Sequence, residues 1–382
     1  MPGPPSRDPA LGSTGPGWGS TGPGWGSSGA AAPLLAVNDL RVNFRRGRRT
    51  VQAVAGVSLA IAAGETLGLV GESGCGKSTT GRAIVQVERP TSGSIHFNGI
   101  DLTSLRGSEL RRARVGIQMI FQDPISSLNP RRRVRDIVAE PLDIWKKGSQ
   151  SERDRVVRAM LESVGLNPDV AGPRRPREFS GGQCQRISIA RALVMEPKLL
   201  ICDEVVSALD VSVQAQILNL LEDLKAQYGL TLLFIAHDLA VVKNISDRVA
   251  VMYLGKLCEV APAEVLYRSP AHHYTQALMA SVLQPDPSSA GQPAPLQGEP
   301  PSPIHPPTGC RFRTRCPRAE ERCAIEEPVL QEIAPGHAVA CHFPLPTGGS
   351  SLAGAGQMGQ VGQMGEVPGQ YTPPSPPAPR QS

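Results

Sequence analysis

The sequence predicts an α/β fold in which parallel strands alternate with helices. Three observations lead there. Short apolar runs at Glu65–Val70, Lys198–Glu204 and Thr231–Asp238 read as buried strands. Upstream, Leu34–Phe44 and Val51–Ile61 alternate apolar and polar residues around a basic turn at 45–49, the pattern of half-buried antiparallel strands. Residues 101–178 are instead rich in Arg, Glu and Leu. Within Ser151–Val164, the residues Val156, Val157, Met160, Leu161 and Val164 share one helical face. A small antiparallel sheet, completed by Gly93–Gly99, therefore leads into a central sheet that a helical insertion divides.

The 382 residues leave room for about two domains on the usual prior of ~150 residues each. Hydrophobic residues make up 40%, enough for a packed core. The 40 Gly and 37 Pro gather mainly at the ends and in one inner stretch. Residues 1–33 contain the heptad Gly-Ser-Thr-Gly-Pro-Gly-Trp at 12–18 and again at 19–25, and read as a flexible tail. Residues 284–309 read as a linker, and 346–382 as a second disordered tail. The net charge of +5 is too mild to argue for nucleic acid, and Arg131–Arg133 reads as a solvated face. No apolar run approaches the ~20 residues that cross a bilayer, and the start lacks a basic-then-apolar secretory pattern. The expected location is the cytosol, with any membrane association made through a partner.

Residues 71–78 carry the chemistry that organises the rest. Gly71, Gly76, Lys77 and Ser78 fit G-x-x-x-x-G-K-[ST] between a strand and a helix start, with Glu72, Ser73, Gly74 and Cys75 inside the loop and Thr79 after it. A loop that binds a triphosphate must turn several backbone N–H groups toward phosphate oxygens. Glycine allows the required φ values, and the helix N-terminus adds free donors and partial positive charge. Lys77 can reach the β- and γ-phosphates, and the Ser78 hydroxyl can ligate Mg²⁺. Cys75, next to Lys77 and a helix start, is expected to have thiolate character. Phe44 precedes the loop at a distance suited to stacking on adenine, and equally suits a core position.

The motifs that follow complete a nucleotide-hydrolysing set. Gln122 closes an apolar segment at the mouth of the helical insertion, where it can bridge Mg²⁺ and an attacking water. Ser180-Gly181-Gly182-Gln183 is a second glycine turn at a helix start, with Ser180 as N-cap. The strand Lys198–Glu204 ends in two acids: Asp203 can hold Mg²⁺ and Glu204 can polarise water. His237 ends the next buried strand. A lone strand-end histidine is usually structural; beside these motifs it reads as a γ-phosphate sensor.

In this order the motifs resemble the ATP-binding subunits of ABC transporters over residues 34–283. The resemblance implies a P-loop NTPase core with an antiparallel β subdomain, a helical subdomain at about 101–178, and a Cys-rich C-terminal extension. It makes 71–78 the Walker A loop, Gln122 the Q-loop, Ser180–Gln183 the signature, Asp203 and Glu204 the Walker B pair, Ser207 and Asp210 the D-loop, and His237 the switch histidine. Val70–Thr79, Phe121-Gln-Asp-Pro124 with Ser127-Leu-Asn-Pro130, Gly182–Arg186 and His272–Leu278 are similar to the oligopeptide and dipeptide importer ATPases, and within them to the second of two paired ATPase subunits. The partners so implied are a second homologous ATPase, two transmembrane permease subunits and an extracytoplasmic substrate-binding protein, with the chain peripheral on the cytoplasmic face of the membrane. Nickel and other small-solute importers share this ATPase type. Exporter ATPases lack the cysteine extension, and ATPases acting on ribosomes or DNA usually carry tandem cassettes or a coiled-coil insertion. Val205 departs from the family, which usually has Pro after the catalytic Glu; it restores an N–H and frees φ.

Four of the eight cysteines crowd into 310–345 as Cys310-x₅-Cys316-x₆-Cys323-x₁₇-Cys341. A reducing compartment disfavours disulfides. Structural zinc sites usually contain a C-x₂₋₄-C pair, which this spacing lacks, whereas iron–sulfur spacing is more varied. The segment looks too short and polar to bury a core, so a metal centre would supply its folding energy. The expected centre is a [4Fe–4S] cluster, which some members of the resembling family carry here. Zinc, with His337 or His342 as mixed ligands, and free thiols in a docking tail are the alternatives.

Overall fold

The computed structural model describes residues 32–47, 49–280 and 298–346. Nearly all of both expected tails, and most of the expected linker, lie outside them. Strands β1 (Leu35–Arg46) and β2 (Arg49–Ile61) form a long antiparallel hairpin. Strand β3 (Thr66–Val70) is buried throughout and leads through the glycine loop into α1 (Lys77–Ile84). Strands β4 (Ser92–Phe97) and β5 (Ile100–Asp101) complete a sheet of order β2-β1-β4-β5.

Helix α2 (Gly107–Val115) returns the chain to β6 (Ile117–Ile120). Five helices then follow one another: α3 (Pro124–Ser127), α4 (Val134–Trp145), α5 (Gln150–Ser163), α6 (Pro168–Ala171) and α7 (Gly181–Leu193). Helix α5 begins at a capping box in which Ser149 and Glu152 exchange bonds, satisfying donors that a helix start leaves free. It buries Val157, Met160 and Leu161, each worth roughly 1.5–3 kcal/mol on removal from water. The helical layer therefore spans 124–193 rather than the expected 101–178. Strands β5 and β6 and helix α2 belong with the sheets, because a four-residue strand is too brief to interrupt a helix-like composition.

The chain re-enters the central sheet with β7 (Leu199–Asp203), α8 (Val211–Tyr228), β8 (Thr231–Ile235), α9 (Leu239–Ile245) and β9 (Arg248–Tyr253). Then come β10 (Lys256–Pro262), α10 (Ala263–Arg268) and α11 (His273–Ala280), and later α12 (Glu321–Ile325), β11 (Gln331–Ala334) and β12 (His337–Val339). The sheet order is β11-β12-β10-β9-β3-β8-β7-β6. Strands β9, β3, β8, β7 and β6 run parallel. The three strands beyond β9 are antiparallel additions.

Those additions correct the expectation for the cysteine-rich segment. It shares the core of the sheet it joins. Strand β12 pairs with β10 at Glu259↔Val339 and Val260↔Ala338. Phe312, Cys323, Ala338 and Val339 are buried, and Phe312 joins the main apolar cluster. A polar segment can order itself by adding to an existing sheet edge and burying a few residues in a neighbour's core.

Candidate active site

Ligands of open parallel sheets bind beyond the carboxyl ends of the strands. Strand β3 delivers the glycine loop there, β7 delivers Asp203 and Glu204, and the segment after β8 delivers His237. Within the loop, Gly71 has φ 152° and Gly76 φ 108°. A Cβ at Gly71 would lie 2.0 Å from the Met252 carbonyl oxygen, and one at Gly76 2.2 Å from that of Ala53. Backbone packs against backbone at both points, which only glycine permits. Ser73 and Gly74 are exposed, and Thr79 is half-buried in α1. Lys77 is 4% exposed, and its Nζ donates to the carbonyls of Gly71 (2.7 Å) and Glu72 (3.1 Å). Its charge is thus held inside the loop, in reach of a phosphate that displaces those carbonyls.

Cys75 does not behave as its neighbours in sequence suggested. It is buried, and burial raises its thiol pKa by more than the nearby Lys77 lowers it. The loop's curvature turns it toward the apolar cluster under β1, β2 and β9. It packs as a small side chain whose burial disfavours the thiolate.

The Ser78 hydroxyl donates to Asp203 Oδ1 at 2.7 Å. Asp203 is fully buried, and among the described residues its Oδ2 has no hydrogen-bond partner. Burial raises its pKa, against the opposing pull of Ser78 and Arg82. A hydroxyl and a half-satisfied buried carboxylate at the foot of a phosphate loop fit a Mg²⁺ ion, which would neutralise phosphate charge when bound.

Glu204 is the one non-glycine residue of this set with a left-handed backbone, at φ 50°. A non-glycine residue there is uncommon. Its N–H donates to the Ile235 carbonyl at 2.9 Å, which locks the turn. Its carboxylate accepts from Gln122 Nε2 at 2.7 Å and lies 3.7 Å from His237 Nδ1. Three residues far apart in sequence thus meet at one carboxylate. Val205, where the family usually has Pro, is buried in the main cluster. The following turn is tied down: Ser207 Oγ donates to the Glu204 carbonyl at 2.9 Å, and Asp210 caps α8 through the Val213 N–H. Sequence reading missed Gln214, whose Nε2 donates to the carbonyls of Val206 (3.0 Å) and Leu209 (2.9 Å) and holds this turn from the first coil of α8.

Ser180 and Gln183 form a reciprocal capping box at the start of α7. Gly181 is half-buried. At Gly182 a Cβ would lie 2.5 Å from Val213 Cγ1, so α7 and α8 approach closely here. Phe44 lies on β1 opposite Val51 and is 38% exposed, which leaves a ring face open to a base.

Cys323 is buried, and Cys310, Cys316 and Cys341 are half-buried. The Cys310 N–H donates to the Cys323 carbonyl at 2.8 Å. Burial raises the pKa of Cys310, Cys316 and Cys341, and the thiols around them raise it further. Among the described residues no three His, Cys, Asp or Glu stand in metal-holding geometry. Both histidines are engaged elsewhere: His337 Nε2 with buried Glu259 at 2.7 Å, and His342 Nε2 with the Glu326 carbonyl at 3.0 Å.

A phosphate loop, paired strand-end acids and a signature-type helix start, on a sheet flanked by a helical layer, define an ATP-binding cassette ATPase. The family described as ABC transporter matches residues 54–207, and that described as oligopeptide/dipeptide transporter, C-terminal region, matches 258–323. The oligopeptide transport ATP-binding protein OppF of Salmonella typhimurium is 54% identical over 321 residues, which cover 81% of this chain and 95% of that one. The oligopeptide transport ATP-binding protein AppF of Bacillus subtilis is 52% identical over 303 residues, 78% of this chain and 92% of its own. Among solved structures, the ATP-binding cassette MJ0796, in a dimeric post-hydrolysis state bound to ADP and Pi, superposes with a TM-score of 0.56 at 28% identity, covering 60% of this chain and 99% of that one. The cbiO1 protein of Clostridium perfringens, part of the transporter complex cbiONQ, gives 0.56 at 28% identity, covering 62% and 91%. The chain belongs to the oligopeptide transport ATP-binding proteins of the ABC transporter family, and its reaction is ATP hydrolysis.

Proposed function

We propose that this chain is one of two paired ATPase subunits that drive import of oligopeptides or dipeptides. The observation that carries the reading is the joining of a complete cassette to the peptide-transporter C-terminal region at residues 258–323, which begins within β10 of the cassette's own sheet. Residues 34–283 act as the ATP-binding domain and 310–345 as its extension. Lys77 and the loop amides hold the phosphates, Ser78 and Asp203 hold Mg²⁺ with Gln122 nearby, and Phe44 stacks on the base. Glu204 takes the proton of the attacking water, and His237 senses the γ-phosphate. One chain offers one phosphate loop and one signature. Ser180–Gln183 therefore serve a nucleotide bound mainly by the partner ATPase, with Ser207 and Asp210 at the same seam.

Two permease subunits and an extracytoplasmic binding protein complete the assembly, which holds the chain at the cytoplasmic face. No helix among the described residues is long and apolar enough to cross a membrane. Phe121 and Ile125, exposed on either side of the Asp123 cap, offer an apolar contact for a permease next to Gln122. The chain should purify with a second ATPase and two permeases. In vesicles holding that complex, peptide-loaded binding protein should stimulate ATP hydrolysis. Copurification with ribosomes or DNA, or stimulation by a nickel-loaded but not a peptide-loaded protein, overturns the reading.

The finer cofactor proposal is that Cys310, Cys316, Cys323 and Cys341 hold a [4Fe–4S] cluster. Its motive is the crowding of four cysteines between residues 310 and 341 at a spacing that lacks the tight pair of structural zinc sites. Anaerobically purified protein should contain about four iron and four sulfide per chain. Stoichiometric zinc without sulfide, or a metal-free protein with the same thermal midpoint, refutes it.

A further inference from the structure

The C-terminal region grips the phosphate loop from behind, and we propose that Arg315 is a positioning residue for ATP binding, acting through Glu72. This role rests on residues 71–78 holding the phosphates. The difficulty it solves is visible in the sequence: Glu72 places a carboxylate inside a loop that must receive a polyanion. Left unpaired, that charge would repel the phosphates and disturb the amides aimed at them.

Arg315 meets it with both arms. Its Nη1 donates to Glu72 Oε2 at 2.7 Å and its Nη2 to Oε1 at 3.1 Å. The Arg315 side chain is 5% exposed and that of Glu72 23%, so solvent screens the pair poorly. A bidentate geometry fixes direction as well as charge. The other polar groups of Glu72 are also engaged. Its N–H donates to the hydroxyl of buried Tyr274 at 2.9 Å, and its carbonyl accepts from Lys77 Nζ at 3.1 Å. The residue is held on three sides, and the third bond is the one Lys77 must exchange for a phosphate.

The fingers of this grip are themselves fixed. Phe312 packs edge-on to Tyr253, with ring centroids 5.3 Å apart, and 5.4 Å from Tyr274. The Arg315 guanidinium lies 5.9 Å from the Tyr253 ring centroid. Arg311 Nη1 donates to the Leu254 carbonyl at 2.5 Å and Nη2 to Gln52 Oε1 at 2.7 Å. The Gly255 N–H then donates to the Cys75 carbonyl at 2.8 Å, back in the loop. Residues 311–315 thus brace the loop at Glu72, and less directly at Cys75.

The test uses the full chain, with MgATP affinity and thermal midpoint measured for each variant. Arg315→Met should weaken MgATP binding about tenfold, because it leaves Glu72 charged and unheld. Arg315→Lys, which keeps charge without the fork, should fall between. Glu72→Gln combined with Arg315→Met should return affinity to within about threefold of the parent, because no uncompensated charge remains. An Arg315→Met variant with a lowered midpoint but unchanged affinity would make Arg315 a mere anchor of the extension. A double variant as weak as Arg315→Met would exclude Glu72 as the route. Lys77→Ala separates this from the underlying assignment: if it too binds MgATP normally, the phosphate-loop reading fails first. If it loses binding while Arg315→Met does not, only the role of Arg315 falls.

Discussion

Glu204→Gln should lower ATP turnover of the assembled complex by about 10²–10⁴-fold while leaving MgATP affinity near its parent value. The change keeps size and shape and removes only the ability to take a proton. Gln122 still finds an acceptor oxygen, so the meeting of Gln122, Glu204 and His237 survives in outline. The left-handed φ of 50° is a property of the turn after β7, and glutamine inherits it with no new clash. Binding depends on other groups: Lys77, Ser78, Asp203 and the loop amides. The variant should accumulate with ATP held and the two cassettes closed on it. Phosphate release from a complex whose partner ATPase is silenced, alongside separate nucleotide titration, gives both numbers. Near-parental turnover would remove Glu204 from the chemistry.

Lys77→Ala should have the opposite signature, with MgATP affinity falling by about a hundredfold or more. A buried ammonium facing the β- and γ-phosphates is poorly replaced by water. Its loss also leaves the Gly71 and Glu72 carbonyls without their donor. Those carbonyls then point partial negative charge at the space a phosphate would enter. Calorimetry on the full chain measures the affinity, and an unchanged thermal midpoint shows that the fold is intact. Binding at parental strength would overturn the assignment of residues 71–78 as the phosphate site.

What the sequence disclosed was local. The glycine spacing at 71–76, the acids at the end of Leu199–Asp203 and the cap at Ser180 each act within a few residues, so composition and offset report them directly. The strand and helix periods were legible for the same reason. Contacts closed by the fold over long separations were not legible. Gln214 looked like any polar residue on an amphipathic helix until the turn it holds was in place. Arg315 and Glu72 stand 243 positions apart, and neither pattern nor charge links them in a linear reading. Cys75 shows the converse error: two neighbours argued for a thiolate, and burial, which no neighbour reveals, decided otherwise. The cysteine-rich segment was misjudged likewise, because its hydrophobic support belongs to strands laid down earlier in the chain.

That separation of 243 positions also sets a timetable for synthesis. At ~5–20 residues per second, Glu72 leaves the ribosome roughly ten to fifty seconds before its counter-charge is made. For that interval the cassette's apolar clusters can form, while its phosphate loop carries an unanswered carboxylate. A nascent chain halted short of residue 315 would therefore present a phosphate loop whose Glu72 lacks its two-armed partner.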